Sequence, residues 1–265
     1  MISTTQNKDR FHGRRQLPPY LSKCLRIAVS AIFWTGIWLI AALLVDSELI
    51  LPGPLTVLRR LAVLMFTADF WCRTGMTFLR IASGFLLGVI SGIITAVLCA
   101  LSDAARTILS PLIHVLRATP VASFIILVML WVGYSYVPVI IGAMIVMPVI
   151  YQNVLTGIIN IDRQLLEFAA VYRLSRFKTL RYICIPQVRP HFVSAAVTAM
   201  GLAWKSGVAA EVLARPSNAI GSEIYFAKIY LETPDLFAWT IVVIVLSLLL
   251  EKLFRALIGG GTDVR

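Results

Sequence analysis

Charge is scarce in this chain. Only 14% of its 265 residues are Asp, Glu, Lys or Arg, while 59% are hydrophobic. A soluble domain carries about 25% charged residues. The deficit excludes a soluble fold, because so much apolar surface left in water would form patches that drive association. Histidine and cysteine are sparse too. His12, His114 and His191 lie far apart, and Cys24, Cys72, Cys99 and Cys184 form no C-x-x-C pair. No metal site and no cofactor are expected, and the clustered His, Asp or Glu of a membrane-embedded enzyme are missing. The sequence also lacks a P-loop. Gly259-Gly260-Gly261-Thr262 has no lysine to reach a phosphate, so hydrolysis of ATP in the P-loop manner is excluded and no enzyme is expected. There is no clear internal repeat, and the central apolar runs hold no carboxylate; both absences count against a secondary transporter or channel.

The charge that is present is mostly basic, with a net value of +11. It sits in segments between apolar runs, which argues for a membrane protein and against a nucleic-acid partner. Lys8, Arg10, Arg14, Arg15, Lys23 and Arg26 precede the uncharged run 27–45, which is long enough to cross a bilayer. No clean cleavage site follows it, so it reads as an uncleaved helix behind a basic N-terminus, residues 1–26. Leu51-Pro52-Gly53-Pro54 is a rigid turn, and 55–66, with Arg59 and Arg60, a short amphipathic helix. The next span is 81–102. Its Gly84, Gly88 and Gly92 recur every four residues on nearly one helix face, where glycine lets helices approach in lipid.

Asp103 and Arg106 mark a polar loop, and Arg117-Ala118-Thr119-Pro120 breaks the short apolar run 108–116. Residues 118–161 carry no charge and are long enough for two spans, with a hairpin at 133–138. A fifth span, 192–204, is interrupted by Lys205-Ser206-Gly207. A polar connection, 216–234, leads to the last run, 236–250. The expectation is an all-α integral membrane protein with about six transmembrane helices, a transmembrane domain 27–258 and a tail 259–265. Lys and Arg concentrate in the N-terminus, around Arg106, in the loop 160–186 and at the C-terminus, which puts both termini and that loop in the cytoplasm.

The loop is built like an elbow. Asp162 caps a helix starting at Arg163. Leu165, Leu166 and Ala169 share a face, Ala169 and Ala170 are small enough for another surface to approach, and Arg163 and Glu167 are spaced to pair. Ser175 caps a second short helix through Tyr182, and Pro186 ends it before the next span. Four charges lie near or within spans: Arg80, Arg117, Lys205 and Glu211. Such charges favour a cavity or a partner. Arg80 and Arg117 have the alternative of snorkelling at helix ends. Arg117, Lys205 and Glu211 are candidates for a pathway or gate. Lys205 and Glu211 either pair, line that pathway or meet a partner; six residues apart, they do not share a helix face.

Glu167, Ala169 and Pro186, with Ile185 before the proline, resemble the Glu-Ala-Ala loop of ABC importer permeases. In that pattern Phe168 replaces the first Ala, and Arg173 stands where Gly is usual. Leu51-Pro52-Gly53-Pro54, Thr77 to Phe85, Arg117-Ala118-Thr119-Pro120, Trp131-Val132-Gly133, Trp204 to Glu211 and Leu231 to Trp239 resemble the nitrate/taurine/alkanesulfonate branch. The resemblance implies a type I importer permease fold in a bacterial inner membrane. It implies a coupling helix on which a separate ATPase docks through Glu167, Phe168, Ala169, Ala170, Arg173, Leu174 and Ser175. It further implies two ATPase subunits, a second permease copy, an extracytoplasmic binding protein and alternating access. The cargo it implies is a small solute such as nitrate, a sulfonate or taurine, with a thiamine-pyrimidine precursor as the alternative.

Overall fold

The computed structural model describes residues 19–259, which are helical throughout apart from short connections. The basic positions from Lys8 to Arg15 and the tail beyond Gly259 lie outside the described residues. The chain divides into two compact units, residues 1–55 and 56–265.

The first unit is α1, Pro19–Val45, and the turn after it. The helix starts earlier than the apolar run alone suggested, so Lys23 and Arg26 extend it rather than precede it. Its spanning stretch, Ala28–Val45, has a mean hydropathy of 2.2. Asp46 closes it in the left-handed region at φ 45°, and the Trp38 indole donates to Pro52 O at 3.1 Å.

The second unit carries the bundle. After α2, Pro54–Met65, comes α3, Ala68–Leu101, whose N-terminus Thr67 caps by accepting from Phe70 N. Ser102 ends α3 and at once caps α4, Asp103–Ala118, so the expected polar loop is a one-residue break. Pro120 separates α4 from α5, Val121–Trp131, and the two meet at 109°. Then α6, Val137–Ile159, crosses in full. The uncharged run 118–161 therefore holds one complete span and one 11-residue helix too short to cross alone. Among the described residues five helices are long and apolar enough to span, and the bent α4–α5 pair makes a sixth if counted as one.

Helices α3, α6 and α9, Ile185–Ala214, form the centre. A Cβ on Gly84 would stand 2.5 Å from Val139 O; on Gly88, 2.6 Å from Val146 Cβ; on Gly92, 2.8 Å from Met147 O. Only glycine permits this α3–α6 approach. On α9 the buried face is Ala195, Ala196, Ala199 and Ala203, then Trp204, whose indole donates to Val243 O of α11, Thr233–Gly259, at 3.1 Å. Small residues recur at these contacts because close packing, not water exclusion, holds helices together in lipid.

Two expected breaks are absent. Lys205-Ser206-Gly207 does not interrupt α9, which continues to Ala214; Gly207 instead packs against Ile81, where a Cβ would come within 2.6 Å. Pro186 does not end a helix. The four-residue α8, Arg176–Thr179, runs into a π-helical turn, Leu180–Cys184, and directly into α9. Ile185 N reaches back to Leu180 O, five residues away. A π turn widens the helix and relieves the missing N–H of the proline that follows. The polar connection after α9 also contains a helix, α10, Ile220–Ile229.

Candidate functional site

The elbow is α7, Arg163–Val171, followed by α8. Asp162 caps α7, its Oδ1 accepting from Gln164 N at 2.8 Å, and its own N–H donates to Gln187 Oε1 of α9 at 2.9 Å. Ser175 caps α8, accepting from Lys178 N. Between them the chain reverses through Arg173, at φ 50°. Leu174 N bonds Ala169 O at 2.9 Å and Arg173 N bonds Ala170 O at 3.1 Å. This is the paired closure that usually uses glycine at the left-handed position. Arg173 thus keeps the turn that glycine supplies elsewhere, at a backbone cost of about 1 kcal/mol.

Ala169 faces inward, 3% exposed, so the small side chain that seemed open to a partner is covered by its own chain. Glu167, Phe168 and Ala170 face out, and no ion pair joins Glu167 to Arg163. Phe168 and Tyr172 have ring centroids 4.4 Å apart, and both are exposed, as are Val171 and Phe177. Phe168, Val171 and Tyr172 lie outside the candidate spans, and Phe177 lies at the start of the one that begins at Arg176.

The other end of α9 holds a buried polar joint. Glu211 is fully buried. Its Oε2 accepts from Thr77 Oγ1 at 2.9 Å and from Gly221 N at 3.2 Å. Its Oε1 lies 3.5 Å from Arg80 Nη1. Arg80, 8% exposed, also donates to Asn218 O at 3.0 Å and Ser217 O at 2.7 Å. It therefore does not snorkel. Lys205 is exposed and is not the partner of Glu211. Arg117 is exposed at the end of α4. Near this joint a surface cavity of about 390 Å³ is lined by Glu223, Phe226, Ala227, Tyr230, Glu232, Asp235 and Trp239. Arg73 pairs with Asp69 at 2.5 Å and with Glu223, and Arg60 Nη2 donates to Asp235 at 2.7 Å. Burial raises the Glu223 carboxyl above its usual range, and Arg73 works against that rise.

Residues 84–258 match the family described as binding-protein-dependent transport system inner membrane component. The chain belongs to this family. The match covers α6, the elbow and α9, and with them most of the bundle. The permease is 25% identical over 258 residues to the taurine transport system permease protein TauC of Escherichia coli (strain K12), covering 94% of each chain. It is 31% identical over 208 residues to the putative aliphatic sulfonates transport permease protein SsuC of the same strain, covering 78% of this chain and 77% of that one. Among solved structures it resembles the MetNI methionine ABC transporter, with a TM-score of 0.57 at 16% identity, covering 73% of this chain and 94% of the other. An amino acid ABC transporter gives 0.56 at 19% identity, covering 69% of this chain and 88% of the other. The fold is that of a type I ABC importer permease, and this is a multi-pass membrane protein.

The residues that complete the buried joint of this permease, Thr77, Gly221 and the 217–218 carbonyls, were not legible as a site. Beyond the resemblance carried by the Thr77–Phe85 segment, their sequence signal is the i, i+3 spacing of Thr77 and Arg80, which places both on one face of α3. Gln187, which holds the elbow to α9, gave none.

Proposed function

We propose that this permease passes a small sulfonate-like anion into the cytoplasm by alternating access, driven by a separate ATPase docked on the elbow. The observation that carries the coupling reading is the exposed apolar side chains Phe168 and Val171 on α7, Tyr172 at its end and Phe177 at the start of the next helix, set among Arg163, Arg173, Arg176, Lys178 and Arg181. Glu167, Ala170, Leu174 and Ser175 lie in the same segment. Buried Ala169 shapes the elbow rather than touching the ATPase. In this reading the elbow and both termini are cytoplasmic. Two such permeases pair in a bacterial inner membrane with two ATPases, and an extracytoplasmic binding protein delivers the cargo at the α10 end. Exposed apolar side chains such as Leu86, Ile90 and Ile94 of α3 meet lipid tails.

Lys205 supports the anionic cargo. It is exposed on an unbroken helix, about 13 Å from the C-terminal end of α9. Exposed Ser194, Thr198 and Ala209 lie on the same face. A lysine on a lipid-facing helix centre costs about 3 kcal/mol, so this face lines water rather than lipid. There its charge offsets that of an anion entering a low-dielectric path. The relatives' sulfonate and taurine names point to the same cargo class. Arg117 is a second candidate for that path.

The test is uptake into vesicles holding permease, ATPase and saturating binding protein. Lys205→Gln is expected to slow taurine or alkanesulfonate import about tenfold, the scale of one lost charge-assisted hydrogen bond, with ATPase docking intact. Import at the wild-type rate would remove Lys205 from the path.

A further inference from the structure

Helix α10 has no cap of its own. Its N-cap position is Ala219, which offers no side-chain acceptor, and the segment leading into it is buried: Ala219 and Ile220 are 0% exposed. The first N–H groups of a helix have no partner within it, and leaving them bare in a buried place is costly. Both are met from other helices. Ile220 N donates to Thr77 Oγ1 of α3 at 3.0 Å, and Gly221 N donates to Glu211 Oε2 of α9 at 3.2 Å. Thr77 then donates its own hydroxyl to Glu211, so the two caps are joined. Arg80 holds the 217 and 218 carbonyls from the other side. Within the loop, Ser222 Oγ donates to Pro216 O at 2.6 Å, and the Arg215 guanidinium lies 4.8 Å from the Tyr225 ring centre. Gly221 allows this closeness; a Cβ there would collide with Glu211 Cβ and lie 2.6 Å from Val212 N.

We propose that Glu211 is a positioning residue that, with Thr77, caps α10 from α9 and α3 and, with Arg80 holding the loop before α10, makes the three helices move as one rigid outer gate. The proposal rests on the transport reading above. The carboxylate does not touch cargo; it has no exposed atom, and its partners are the chain's own groups. Opening on the outer side therefore moves this block as a whole against the rest of the assembly. Separating α10 from α3 and α9 would bare two buried N–H groups and a carboxylate together.

Two experiments decide it. The first uses the permease alone in membrane vesicles, with native cysteines removed. The cysteine placed by Ala219→Cys is expected to react slowly with a maleimide. Glu211→Ala should speed the reaction about tenfold, the scale of one lost buried hydrogen bond. Glu211→Gln, whose amide oxygen still accepts from Gly221 and Thr77, should keep it slow. Equal rates in all three overturn the clasp, whatever the chain transports. The second uses the full complex with spin labels at exposed Phe78 on α3 and Phe226 on α10. The label distance is expected to stay the same in nucleotide-free and ATP-trapped states, and a shift between them overturns the rigid block. In the same complex Glu211→Ala should hydrolyse ATP while importing poorly, with import restored by Glu211→Gln. A wild-type complex that fails to import sulfonates sinks the transport reading instead, and the labelling rates still decide the clasp.

Discussion

Arg173 shows how one residue can keep a shape its chemistry disfavours. It adopts φ 50° in the turn that closes α7, and Leu231 does the same at φ 59° after α10. In both places the backbone closure is complete: Leu174 N reaches Ala169 O, and Glu232 N reaches Ala227 O, each at 2.9 Å. The hydrogen bonds hold the side-chain-bearing residue where glycine would sit without strain. Arg173→Gly is therefore expected to stabilise the elbow by about 1 kcal/mol, read as a higher melting temperature of the purified permease in detergent. An unchanged or lower melting temperature would mean that the arginine side chain contributes as much as its backbone costs. Ala169 gives the opposite lesson. A small residue in an exposed-looking helix suggested a docking contact, yet its 3% exposure puts it under its own chain. Ala169→Asp should accordingly weaken folding of the elbow itself.

At the level of elements, two helix contacts carry opposite expectations. Gly88 on α3 has Val146 Cβ and Ala143 O within 3 Å of any added Cβ, while Gly75, on the same helix, has nothing within 4 Å. Gly88→Val should lower the melting temperature, at a cost of about 2 kcal/mol for overpacking, and Gly75→Ala should not. Equal effects would show that α3 and α6 do not meet through glycine. The elbow's aromatic pair makes the second case. Interfaces draw most of their affinity from a few aromatic anchors, so Phe168→Ala should weaken ATPase binding by about 2 kcal/mol, measured by titration of the ATPase onto immobilised permease. Undiminished binding would place the docking surface elsewhere. Membrane insertion is expected to stay normal, because Phe168 lies outside the spans.

For the whole molecule the positive-inside bias predicts a cytoplasmic elbow. A reporter fused after Arg176 is expected on the cytoplasmic side, and one inserted at Asn218, beside the α10 clasp, on the outside. A cytoplasmic reporter at Asn218 would overturn both the topology and the outer gate. The span count also belongs to this scale. Apolar length in the sequence gives about six spans; among the described residues five helices qualify, and the sixth crossing depends on α4 and α5 acting as one bent unit at 109°. Composition cannot report that angle, because Pro120 breaks the backbone without adding charge.

The sequence by itself determined the membrane, the all-helical class, the approximate number of spans, the two elbow caps and the family resemblance. These follow from local composition and spacing: uncharged runs of bilayer length, Asp162 and Ser175 ahead of short helices, and Glu167 and Pro186 at a recognisable separation. Only the tertiary structure decided what the intramembrane charges do. From sequence, Arg80 has either a partner or a snorkelling end open to it, and Glu211 either pairs with Lys205, lines the pathway or meets a partner. The fold instead brings Arg80 and Thr77 to Glu211 across more than 130 residues of sequence and turns Lys205 away. A carboxylate's partner is fixed by which helix faces pack together, and that packing is set by glycines and alanines whose neighbours lie on other helices.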